Sequence, residues 1–274
     1  MPRFKKWVLL KRTLALSAFP VLISAVMLLP AGIRDAMKLH IQDPSWWQFL
    51  TSGFVHNSFS HYLDNLIAFL ILLLVQGIIV YRMRAQKAYA GLLFFTMLSF
   101  PIVSSIVKLV LYRGLLPIVR VSCGSSGIIS AMIGFTPVLW LAYMSKAARK
   151  NLFSLAFFSA VLAYIVLSFV IIYFPYHRNL LLTLVLVALI AVFAFAWRGS
   201  LKRACKTLLK ERSLPMLFYL IFLPLFFLAS PLLTFPLRLI QGDSSVDFFS
   251  HYIGFIYGFW ISFVFFRMKT KPNL

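Results

Sequence analysis

Eight apolar runs dominate this chain, each about as long as a bilayer is thick. Crossing the hydrocarbon core as a helix takes about 17–25 predominantly apolar residues. The runs are Thr13–Leu29, His61–Val80, Ala88–Leu111, Gly127–Tyr143, Leu152–Phe174, Leu180–Trp197, Leu214–Leu233 and Phe248–Phe266. In lipid every backbone polar group must find a partner within the protein, so runs like these are read as helices. The chain is 62% hydrophobic and 12% charged. Soluble domains average about 45–50% and about 25%, so one compact core could not hide this much apolar surface. The expected fold is an all-α polytopic membrane protein, with residues 1–274 forming one transmembrane domain. Met1–Arg12 is basic and precedes an apolar run, as in a signal peptide. It lacks a small-x-small cleavage site and seven further runs follow, so we read the first run as a span.

Charge sets the orientation. Lys and Arg number 27 against six Asp and Glu, giving a net charge of +21. In a soluble chain that excess would point to nucleic acid, but here it reads as basic cytoplasmic loops. With the N-terminus inside, eight spans leave only Arg34, Lys38, Lys108, Arg113, Arg120, Arg178 and Arg238 on the far side. The other 20 of the 27 are then cytoplasmic, which puts both termini inside. Cys123 and Cys205 fall on opposite faces and cannot pair. The far-side loop Gly32–Thr51 carries Trp46, Trp47 and Phe49, aromatics that favour the headgroup layer. The basic segment Arg198–Arg212 is expected to anchor on anionic lipid. No internal repeat is visible.

Polar groups at membrane depth are costly and mark functional sites. Three clusters stand out, all near the far face. Gly124-Ser125-Ser126-Gly127 opens the fourth span. Its Gly-x-Ser-Gly pattern places Ser126 where the backbone turns tightly, beside helix-start N–H groups able to stabilise an oxyanion. His251, Gly254 and Gly258 share one face at the start of the last span. A Gly-x-x-x-Gly face lets a second helix come close, and the co-facial small residues Gly127, Ala131 and Gly134 of the fourth span are suitable partners. His56, His61 and Asn65 enter the second span, with His61 and Asn65 at i and i+4. Taken singly, each cluster also fits a plain role as a helix start or packing seam. Zinc is a poor fit: the histidines lack a His-Glu-x-x-His arrangement and a third ligand. No metal or other cofactor is implied. Together the clusters supply nucleophile, base and oxyanion donors, the needs of acyl transfer.

In order and spacing these three motifs resemble those of the rhomboid intramembrane serine proteases. That family carries His-x-x-x-x-His-x-x-x-Asn on its second helix, Gly-x-Ser-Gly opening its fourth and His-x-x-Gly-x-x-x-Gly on its last. Trp47, nine residues before His56, matches a loop Trp of the family. The resemblance implies a six-helix core, here with two extra spans between serine and histidine. It implies Ser126 as nucleophile, His251 as base, and His61 and Asn65 with the Ser126 N–H as oxyanion hole. His56 would be structural or shape a water-filled cavity. The implied partners are the lipid bilayer and single-span membrane proteins, cut near the outer edge of the span. Two positions depart from the pattern: Gln48 stands where Arg often follows the Trp, and Ser130 where Tyr commonly stacks on the catalytic histidine. These departures motivate a second reading, a catalytically inactive relative that binds transmembrane helices. A small-solute transporter would call for discontinuous helices or a repeat in two halves. Asp247, one turn before His251, reads as a helix-start residue rather than a third triad member. The short basic N-terminus runs straight into the first span with no clear organellar presequence, so a prokaryotic plasma membrane is expected, with a secretory-pathway membrane as the alternative.

Overall fold

The computed structural model describes residues 17–114, 121–148, 151–173, 214–234, 240–241, 244–245 and 248–269, with short pieces between 188 and 210. In chain order it contains α1 (Ser17–Met27), α2 (Ala31–Ala36), β1 (Leu39–His40), α3 (Gln48–Thr51) and a 3-10 turn (Ser52–Phe54). Then come α4 (Phe59–Met83), α5 (Gln86–Gly114), β2 (Val121–Ser122), α6 (Ser126–Ala148) and α7 (Leu155–Tyr173). The last elements are α8 (Leu214–Thr234), the two-residue strands β3 (Ile240–Gln241) and β4 (Ser244–Ser245), and α9 (Phe248–Lys269).

The protein is a mostly helical, multi-pass membrane protein. Among the described residues four helices are long and apolar enough to cross a membrane: Phe59–Met83, Gln86–Gly114, Ser126–Ala148 and Phe249–Arg267. The expected spans at Thr13–Leu29, Leu152–Phe174 and Leu214–Leu233 coincide with apolar helices. The expected span Leu180–Trp197 lies outside the described residues apart from Ala188, as do Asp243 and Asp247.

The chain divides into two compact units, Met1–Met132 with Ile240–Tyr257, and Ile133–Leu239 with Gly258–Leu274. In the first, α4 starts at Ser58, whose Oγ accepts the His61 N–H at 3.2 Å, the usual device for a helix N-terminus. It ends at Arg84 in the left-handed region, φ 58°. Leu63, Ile67, Leu70, Ile71 and Leu74 form its exposed stripe, while Asn65, Phe69, Leu72 and Gln76 point inward. Lipid, not water, is the solvent such a stripe requires. Gln76 donates to the Met132 carbonyl at 2.6 Å and accepts from the Tyr89 hydroxyl at 2.7 Å, tying α4, α5 and α6 together.

Of the four long helices, α6 is the most buried, with 94% of its apolar window covered. Pro137 lies inside it, and Pro101 inside α5. In the second unit, Phe158 stacks on Phe259 at 5.2 Å and packs against Phe263 at 5.0 Å. Tyr164 donates to the Leu228 carbonyl and packs on Phe227, which satisfies its hydroxyl at membrane depth.

Candidate active site

All the polar clusters singled out in the sequence lie in the first unit, apart from Gly258. The site is assembled where the loop of residues 32–51 meets the start of α6. There β1 pairs antiparallel with β2, Leu39 opposite Ser122 and His40 opposite Val121. The Gly124 N–H donates to the Ser52 carbonyl at 3.0 Å. The Cys123 thiol donates to Asn57 Oδ1 at 3.3 Å. Ser125 Oγ lies 2.9 Å from His56 Nε2. Lys108, buried on α5, donates from Nζ to Ser122 Oγ at 3.0 Å. Residues 121–125 are thus fastened to three other segments just before the chain turns into α6.

Gly124 has φ +125°, a conformation open to glycine and strained for other residues. A methyl group placed there would lie 3.3 Å from His61 Cε1 and 3.8 Å from both His61 Nε2 and Ser126 Oγ. His61, on the first turn of α4, and Ser126, the first residue of α6, therefore border one small space lined by Gly124 backbone. Asn65 is buried one turn below His61 and gives one amide N–H to the His61 carbonyl at 3.0 Å. An amide nitrogen carries two such hydrogens.

The helix starts bearing Ser126 and His251 touch through glycine. A Cβ on Gly254 would fall on the Gly127 carbonyl, and one on Gly127 would run into Ser250 Oγ and the Phe100 ring. Ser126 precedes Gly127 by one residue, and His251 precedes Gly254 by one turn. Ser130 belongs to the same contact: its Cβ lies 3.1 Å from the position of a Gly254 Cβ. A small side chain at 130 is what lets the helices approach this closely. Gly258, further along α9, is buried.

His56 is 2% exposed and sits in the loop ahead of α4. Burial, reinforced by the neighbouring His61 ring, lowers its pKa to about 4, with the Phe54 carbonyl opposing the shift. It is therefore neutral at ordinary pH. Gln48 is also buried. Its Oε1 accepts from the His40 and Ser45 N–H groups at 3.2 Å each, and its Nε2 donates to the Ala36 carbonyl at 3.1 Å. The residue that departs from the family pattern thus holds the loop backbone at three points. Trp46 and Trp47 are exposed on that loop.

The partners of Ser125, Lys108 and Cys123 could not be read from the sequence, because they lie elsewhere in the chain and no spacing encodes them. Among the described residues no group of three His, Cys, Asp or Glu side chains could hold a metal ion. No protein-family model, curated protein or solved structure matches this chain.

Proposed function

We propose that this protein is a rhomboid-type intramembrane serine endopeptidase of eight spans, with both termini cytoplasmic, in a prokaryotic plasma membrane. Ser126 Oγ attacks the scissile carbonyl of a transmembrane substrate, and His251 takes its proton and gives it to the leaving amine. Water, giving a proton to His251, then cleaves the Ser126 acyl ester and restores the hydroxyl. The oxyanion is held by His61, Asn65 and the Ser126 N–H. The observation that carries this reading is the space beside Gly124, bordered at 3.8 Å by both Ser126 Oγ and His61 Nε2. A serine at a helix start, a glycine-backed approach and an imidazole donor converge there, as acyl transfer needs. The Gly127–Gly254 contact adds support by joining the helix starts that carry Ser126 and His251.

A helical substrate has its carbonyls hydrogen-bonded, so it must unwind locally before attack. The test is to reconstitute the full chain with a single-span reporter and to map any cut bond by mass spectrometry. Cleavage near the outer end of the span, faster when Gly or Pro is placed beside the cut, is the expected result. A reporter that binds and stays intact would instead favour the inactive, helix-binding reading motivated by Ser130 and Gln48.

A further inference from the structure

Beside the assigned serine stands a second one with a base already in contact. Ser125 is fully buried, and its Oγ meets His56 Nε2 at 2.9 Å. The His56 ring packs edge-on against His61, with centroids 5.3 Å apart, and against Tyr62 at 5.9 Å. Three successive residues, Cys123, Gly124 and Ser125, are each bonded to the segment 52–57. Ser126 is the first residue beyond those ties. Ser125 also supplies the carbonyl that accepts the Ile129 N–H, so the loop becomes helix at this residue. When a residue's side chain and carbonyl are both held, the direction of the next Cα–Cβ bond is largely set.

From this juxtaposition we propose that His56 is a positioning residue for Ser126: the buried His56–Ser125 bond fixes the turn that aims the Ser126 hydroxyl. Its edge contact with His61 registers the same turn against the oxyanion donor. His56 touches no reacting atom in this account. The inference rests on the reading of Ser126 as nucleophile, and the experiment separates the two.

Full-length protein in detergent is treated with a fluorophosphonate probe, which phosphonylates an activated serine and expels fluoride. The labelled residue is mapped, and labelling rate, reporter kcat and KM, and thermal unfolding are measured for four variants. These are His56→Phe, which keeps a ring, Ser125→Ala, the double variant, and His56→Gln, which can still hydrogen-bond. We expect wild type to be labelled on Ser126. Misplacement of a reacting group by about 1 Å costs on the order of 10²-fold, so each single variant should slow labelling and kcat by about 10–100-fold. KM should be unchanged, the double variant no slower than the slower single one, and His56→Gln partly restored. Wild-type labelling rates in both single variants, or losses that multiply in the double, would overturn the positioning role while leaving Ser126 as nucleophile. Label on Ser125 would overturn it too, by making His56 a base for the wrong serine. Absence of label from both serines in wild type would refute the nucleophile itself and the positioning role with it.

Discussion

His56 carries a consequence that can be read without any substrate. Its ring is neutral in the folded protein down to about pH 4, while in an unfolded chain it protonates near pH 6.5. The folded-state pKa is depressed, so the stability is fully present above about pH 6.5. It is lost as the pH falls from there through about 4 and then levels off. The total is on the order of 3 kcal/mol. Unfolding of wild type and His56→Gln in detergent, compared across that range, should show the fall in wild type and a flatter profile in the variant. Parallel profiles would mean that His56 is not held neutral by the fold. Gln48 gives a second expectation at this scale. Removing an amide that serves three backbone groups leaves buried partners unmade, so Gln48→Ala should lower stability by about 1–3 kcal/mol. An unchanged melting temperature would contradict that role. The spacing of His56, His61 and Asn65 was legible because it is local to one helix and its approach. The His56–Ser125 bond was not, since it joins residues 69 positions apart.

At the scale of elements, the glycine faces were readable and the loop pairing was not. Gly127 and Gly254 announce close helix contact through their i, i+3 and i+4 patterns, and the structure puts one against the other. Gly254→Ala forces a Cβ onto a carbonyl that cannot move without shifting α6. Overpacking of this kind costs about 1–3 kcal/mol, and it parts the helix starts that carry Ser126 and His251. Reporter cleavage should therefore fall by more than the loss of folded protein explains, measured as activity per folded molecule. Proportional losses would mean that the contact serves packing alone. By contrast, β1 and β2 are two residues each, too short to show an alternating period. Their pairing nevertheless clamps the residues leading into Ser126. The deep burial of α6 had no counterpart in the hydropathy, since lipid and neighbouring helices accept an apolar face equally well.

At the scale of the whole molecule, the proposed eight spans predict sidedness. Eight spans with both termini inside place Cys205 in the cytoplasm and Cys123 on the far side. A membrane-impermeant maleimide applied to intact cells should reach the cysteine of the Cys205→Ser variant. It should spare that of the Cys123→Ser variant until the membrane is opened. Labelling of both from the same side would require a different number of spans between them. The membrane class and the four long apolar helices could be read from hydropathy alone, because lipid imposes length and apolarity on every crossing segment. The proposed chemistry rests on a constellation, because Ser126, His61 and His251 would act together only through contacts among three helices far apart in the chain. The claim on which everything else depends is that Ser126 and His251 form a working dyad. It is tested most directly by incubating purified wild type, Ser126→Ala and His251→Ala with a single-span reporter in liposomes and following the cleaved product. Product is expected from wild type and from neither variant. Product that persists in Ser126→Ala would contradict the dyad.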